Sequence, residues 1–390
     1  IIPTASTILI ARYPRKDQGM AQAFIGLGAI SGPLLGPSLG GYLIDIFSWH
    51  MIFLINIPFG ILAISIAVTQ IKEKKQEEDK TPFALKSFLL LAAGLGSLQF
   101  ILEEGHRKDW LSSYLIIFLI IISVSCLVTL VVDQLETEKP MIDFRVFANR
   151  NYLFSTLLNA MLGVTIFGVG FLLSLFCSTV LNYTPLHIGT VFLQGASIQI
   201  IVMPLMGKLI PKVDNRLLVA VGLVLVFYSL WLNSHLTENI SHFGLVSMFF
   251  IRAVGMSCIF IPLSMIAMGQ METKNIGNAV GLFNLTRELG GSIGLAWMAS
   301  YVVNNMKIYD GLIKNHLNSA NSVMDLHLNS FKALLMGKVS DVDSGALALI
   351  QQKVSLQASV LSFNRGFLIL SFLFASVGLL LFFMKKVKSN

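Results

Sequence analysis

Charge is scarce in this chain. Asp, Glu, Lys and Arg make up 13% of its 390 residues, about half the share of an ordinary soluble protein. So few charges cannot cover a water-exposed globule. With 55% apolar residues and a mean hydropathy of +0.74, the chain reads as an integral membrane protein. Cysteine is nearly absent: Cys126, Cys177 and Cys258 each fall inside an apolar run, which excludes a disulfide framework and leaves them as small buried hydrophobes. No G-x-x-x-x-G-K-[ST] loop occurs, so nothing points to a nucleotide-driven pump. Period-two alternation is also missing, which excludes a β-barrel. His316 and His327 lie eleven apart, a spacing with no helical logic for a metal, and no metal site is expected.

Long apolar runs are plentiful. Runs of the ~20 residues needed to cross a bilayer lie near 18–45, 50–70, 83–103, 112–133, 152–179, 186–209, 215–233, 243–270, 277–303 and 363–384. These predict an all-α membrane protein with about ten complete spans, and 1–12 reads as the tail of an eleventh. Ile1 enters mid-helix, so further chain upstream is expected. The net charge of +7 does not imply nucleic acid. The cations cluster at alternate loops, around Arg12–Lys16, Lys72–Lys80, Lys139–Arg150, Lys208–Arg216 and Lys385, while the opposite short loops hold Arg107 and Lys108. That bias is the positive-inside signature, and it places the C terminus in the cytoplasm. The segment 304–362 is polar and is expected as an outer loop with one or two amphipathic helices.

The segment from Gly28 to Gly41 stands out. Gly28, Gly32, Gly36 and Gly40 lie four apart, with Pro33 and Pro37 between them. Four residues slightly exceed one helical turn, so these glycines form a groove along one face, suited to close helix packing. The two prolines predict a bent or pliable helix. A repeat is also visible: Ile2-Pro3 is followed by Gly19 and Gly32, and Ile261-Pro262 by Gly277 and Gly290, with nearly equal spacings. Such duplication suits transporters whose halves rock about a central site.

Gly32-x-x-x-Gly36-Pro37-x-x-Gly40-Gly41 resembles the antiporter motif of the major facilitator superfamily. Trp49-His50-x-Ile52-Phe53-x-Ile55-Asn56-x-Pro58-x-Gly60 is similar to the start of helix six in its 14-helix drug:proton antiporters of the EmrB/QacA type. The resemblance implies three parts: 1–70 as helices four to six of an N-terminal bundle, 71–135 as a linker and two inserted helices, and 136–390 as a six-helix C-terminal bundle. It further implies proton-coupled export of hydrophobic or cationic small molecules, driven by a gradient with no cofactor. Such a protein is no enzyme and sits in a bacterial inner membrane. A periplasmic adaptor stays an open question.

Ionisable groups inside a span cost about 2.5–3.5 kcal/mol at a helix centre and are functional suspects. Arg287 and Glu288 lie mid-span. Gly277, Gly281, Asn284, Glu288 and Ser292 recur at helical spacing, predicting one polar stripe toward the bundle interior or a wet cavity. Asn284-x-x-Arg287-x-x-Gly290-Gly291-Ser292-Ile293-Gly294 resembles helix thirteen of the same exporters, where an acid can take part in proton coupling. Burial favours a neutral carboxyl and an adjacent Arg the charged one, so two readings stand: a coupling carboxylate or a static Arg–Glu lock. Arg252 resembles the second-half counterpart of the Arg-bearing helix-four motif, and Asp214 with Arg216 a degenerate cytoplasmic latch loop. Asn56, Asn159, Gln194 and Gln199 are candidates to line a cavity. Gly290-x-Ser292-x-Gly294 also fits a hydrolase elbow, but it sits mid-helix without His and Asp partners and is rejected. The second function class is a non-transporting sensor or scaffold, or an inactive fragment, on the same fold.

Overall fold

The structure is a computed structural model that describes residues 4–6, 8–9, 13, 15–70, 84–138, 140–269, 271–272, 275–316, 322–335 and 341–385. The charged run Lys72–Lys80 and the Ile2-Pro3 start of the repeat lie outside them. The described residues hold helices and no strand. In chain order these are α1 (Arg15–Ile46), a single turn α2 (Met51–Leu54), α3 (Asn56–Gln70), α4 (Leu85–Glu104), α5 (Tyr114–Glu136), α6 (Arg150–Thr179), α7 (Pro185–Ser197), α8 (Gln199–Leu209), α9 (Asn215–Asn233), α10 (His242–Met268), α11 (Ile276–His316), α12 (Ser322–Leu335) and α13 (Val342–Gly378). Eight helical segments among the described residues are long and apolar enough to cross a membrane. The other two expected runs, 18–45 and 277–303, fall on α1 and α11, 32 and 41 residues long, which are not among those eight.

Helix starts follow local chemistry. Asn149 accepts from the amides of Asn151 and Tyr152 to cap α6. Thr184 caps α7, with Pro185 at the first helical position. Asp214 caps α9 and Ser241 caps α10. Each oxygen satisfies an amide that the helix itself leaves unpaired. Three boundaries differ from expectation. The runs 50–70 and 186–209 each divide, at Ile55 and Ile198. The segment 304–362 is mostly a continuation of α11 and α13 beyond their apolar portions, with α12 between them. Apolarity marks where a helix leaves lipid, not where its hydrogen bonds stop. Asp341 starts α13, accepting from the amides of Asp343 and Ser344; the Ser344 hydroxyl, then its amide, hold that carboxyl below its usual range.

The main core lies among α6, α9, α10, α11 and α13, where Tyr152, Phe176, Leu230, Phe363, Phe367 and Phe374 are buried. A second cluster joins α1 to this bundle: Ala23 packs with Met203, Met206, Ile210, Cys258 and Ile261. The inserted helices α4 and α5 pair with each other, Ser123 Oγ donating to the Gly94 carbonyl at 3.0 Å. By contrast, no residue of the span Met51–Thr69 is buried.

Candidate functional site

α11 carries the mid-span polar group. Asn284, Arg287 and Glu288 come together as the sequence spacing predicts: Arg287 Nη2 donates to Asn284 Oδ1 at 3.0 Å and lies 3.6 Å from Glu288 Oε1. The two charges diverge sharply in setting. The Arg287 side chain is 7% exposed and that of Glu288 58%. The guanidinium sits 5.2 Å from the centroid of Phe260 on α10, and the same ring lies 3.3 Å from where a Cβ on Gly26 of α1 would stand. Arg287 is therefore close to the junction of α1 and α10. Of the two settings expected for this stripe, bundle interior or wet cavity, the exposure of Glu288 goes against the first. Its neighbour one turn on, Ser292, donates to Gln99 Oε1 of α4 at 2.8 Å, so this face of α11 looks toward the inserted pair.

The glycines of α11 serve a seam instead. A Cβ on Gly290 would stand 2.1 Å from the Ala160 carbonyl oxygen, and one on Gly163 would stand 1.9 Å from that of Arg287. A Cβ on Gly294 would stand 2.7 Å from the Val164 Cα. Only glycine permits backbones this close. Polar bonds fasten the same seam: Asn159 Nδ2 donates to the Phe283 carbonyl at 2.5 Å, and the Tyr152 hydroxyl to that of Ala279 at 2.8 Å. Asn159, one of the polar candidates from the sequence, is buried in this joint and bonded to backbone.

α1 runs antiparallel to α7 and α8. Gly41 meets the Pro185 backbone at 2.8 Å, Gly26 meets Met203 and Phe260, and Gly19 meets the Gly207 carbonyl at 3.1 Å. The helix continues unbroken through positions 33 and 37. Of the motif glycines, Gly41 is the one in close contact in this arrangement: among the described residues nothing lies within 4 Å of a Cβ on Gly32, Gly36 or Gly40. The packing glycines Gly19, Gly26 and Gly41 lie at a different spacing.

The remaining candidates scatter. Arg252 is buried on α10 with its guanidinium 4.1 Å over the Phe249 ring, and its Nη1 has no hydrogen-bond partner among the described residues. Gln199 is buried beside it, donating to the Ala253 carbonyl. Gln194 is exposed and bonds His242 Nε2 at 2.9 Å. Asn56 is exposed and bonds the Ile52 carbonyl within its own chain segment. Asp214 caps α9 through the Arg216 amide. Sequence reading missed Gln99 and Gly163; a lone amide in the apolar α4, and small residues at 160 and 163 matching 290 and 294, were the available signals.

The Major Facilitator Superfamily model matches residues 1–295. The chain is 26% identical over 388 residues to the multidrug export protein EmrB of Haemophilus influenzae, covering 99% of this chain and 75% of that protein. It is 27% identical over 394 residues to the colistin resistance protein EmrB of Acinetobacter baumannii, covering 100% and 76%. The fatty acid resistance protein FarB of Neisseria gonorrhoeae is 26% identical over 374 residues, covering 96% and 73%. A family match over this much of the chain, on a helical bundle of spanning length, places it: the protein belongs to the major facilitator superfamily of membrane transporters.

Proposed function

We propose that the protein exports hydrophobic or cationic small molecules in exchange for protons, by alternating access, across a bacterial cytoplasmic membrane with its C terminus inside. Relatives named for multidrug export, colistin resistance and fatty acid resistance support a class of apolar or amphipathic substrates rather than one compound. The observation that carries coupling is the mid-span Asn284–Arg287–Glu288 group, whose arginine is buried where α1 meets α10. A charge held at such depth is costly and persists where it is used.

Alternating access falls on the α1 seam. Opening the end at Gly41 and Pro185 while Gly19 stays on Gly207 exposes the space between the halves to one side, and the reverse exposes it to the other. Protonating Glu288 removes the negative partner of Arg287. A change that stabilises one arrangement over the other shifts their populations by its differential free energy.

The test uses everted membrane vesicles from a pump-deficient host carrying the full-length protein, with ethidium and decanoate as probes. Wild type is expected to move at least one probe, and a protonophore to stop it. Glu288→Gln is expected to lower proton-driven transport at least tenfold while probe binding stays within threefold. Full proton-driven transport by Glu288→Gln overturns the coupling role. No protonophore-sensitive movement by wild type overturns export and leaves the sensor or scaffold reading.

A further inference from the structure

α4 meets the bundle at mid-depth through polar atoms. Ser292 Oγ donates to Gln99 Oε1 at 2.8 Å, and Gln99 Nε2 donates to Glu103 Oε1 at 2.7 Å. The rest of α4 is largely lipid-like, with Leu85, Phe88, Leu89 and Phe100 exposed. An amide within a span is costly unless both its ends are bonded, and here both are. Glu288 stands one turn from Ser292 on the same face of α11, with 58% of its side chain exposed. Four residues rise about 6 Å along a helix. Glu103, the Gln99–Ser292 pair and Glu288 thus descend in two such steps from the expected outer end of α4 to the middle of α11.

Few charges surround Glu288. Arg287 on its own helix is 3.6 Å away, and α4 offers Glu103 through Gln99. α6 has no charged residue after Arg150. On α10, Arg252 lies over Phe249. On α13, Arg365 acts on Tyr301, more than three turns along α11.

We propose that the inserted helix pair supplies the outer arm of the proton route: protons enter at Glu103 and pass along the α4–α11 crevice, kept polar by Gln99 and Ser292, to the Glu288 carboxylate. This rests on the coupling role given to Glu288 above. Glu103 gains its proton from outer water; water in the crevice carries it inward. One O–H bond breaks at Glu103 as one forms at Glu288, and the negative charge moves from Glu288 to Glu103. The two routes are then separate in space. Substrate passes where the halves part beside Arg287 and Phe260, and the proton arrives from the side of α11 that faces the inserted pair.

The experiment measures probe-driven proton movement in the same vesicles with a pH-sensitive dye. Ethidium is the probe where wild type transports it, and decanoate otherwise. Gln99→Leu is expected to lower proton flux at least tenfold with probe binding within twofold of wild type. Gln99→Glu is expected to restore part of the flux and to alter its pH profile. Glu103→Gln, at an exposed site where folding is not at stake, is expected to lower the flux at least threefold. Wild-type flux in Gln99→Leu or Glu103→Gln, alongside loss in Glu288→Gln, overturns the route and leaves the coupling role intact. Equal loss of binding and flux in Gln99→Leu, with Glu103→Gln unaffected, marks the contact as packing and also overturns the route. Full flux in Glu288→Gln removes the coupling role itself.

Discussion

Two seams in this protein rely on glycine, and they differ in how much they tolerate. Between α6 and α11 the backbones touch: added Cβ atoms at Gly163 and Gly290 would stand 1.9 and 2.1 Å from carbonyl oxygens, and buried Asn159 and Tyr152 bond across the joint. Between α1 and α7–α8 the corresponding distances are 2.8 Å at Gly41 and 3.1 Å at Gly19, and Gly26 is tight only against side chains, 3.3 Å from the Phe260 ring. The first seam has no slack and is fastened by hydrogen bonds inside one bundle. The second joins that bundle to the N-terminal helix through close but separable contacts. A rocking transporter needs both kinds. Rigid halves transmit motion because packed interiors do not deform continuously, and the interface between them must open.

The largest effect expected is at the tight seam. Gly163→Leu should abolish folded protein, because the clash is with backbone and cannot relax by side-chain rotation. Overpacking alone costs about 1–3 kcal/mol, and a backbone clash more. Size-exclusion chromatography of detergent-solubilised protein reads this out as loss of the monodisperse peak. A Gly163→Leu protein that folds and transports normally would erase the difference between the seams.

The α1 seam should respond in function before stability. Gly41→Val and Gly207→Val press on opposite ends of the same helix pair, at 2.8 Å from Pro185 and 3.0 Å from Gly19. These contacts too are with backbone, so both proteins are expected to lose some stability, less than at Gly163, with export reduced about tenfold. Opposite conformational bias should show as opposite changes in labelling of single cysteines placed at the two mouths. Equal labelling changes in both variants would mean that the seam does not rock about its middle.

Much of this contrast was legible in the sequence, but not the contacts themselves. The apolar run 152–179 predicts α6, observed at Arg150–Thr179, and 215–233 predicts α9, observed at Asn215–Asn233. Apolar length is dictated by the bilayer and needs no partner to be read. The Asn284–Arg287–Glu288 group was legible too, because helical spacing alone brings these residues together. Which neighbour each face meets was not. Glu288 was expected to face the bundle interior or a wet cavity, and nothing in its spacing names α4 as the helix beside Ser292, a contact separated by 193 residues. The glycine rhythm of α1 marked a groove on the right helix, but in this arrangement only Gly41 of the motif glycines has a close neighbour among the described residues. Spacing of four describes a face, whereas Gly19, Gly26 and Gly41 were selected by where α7, α8 and α10 approach.

The smallest change in stability is expected at that groove, and it bears most directly on the antiporter motif. A Cβ on Gly36 has nothing within 4 Å among the described residues, so Gly36→Val adds no clash in this conformation. The remaining terms partly cancel: valine gives up less backbone freedom than glycine but is a stiffer helix residue than alanine. Thermal melting in detergent should therefore move by no more than about 1 kcal/mol equivalent. Export should nevertheless fall several-fold, since a face kept free of side chains over three turns permits close approach by a helix backbone in another stage of the cycle. Reduced export at unchanged stability would show that the looser seam includes surface unused in this arrangement. Unchanged export would assign Gly32, Gly36 and Gly40 to a face that meets only lipid, and confine the moving contact to Gly19, Gly26 and Gly41.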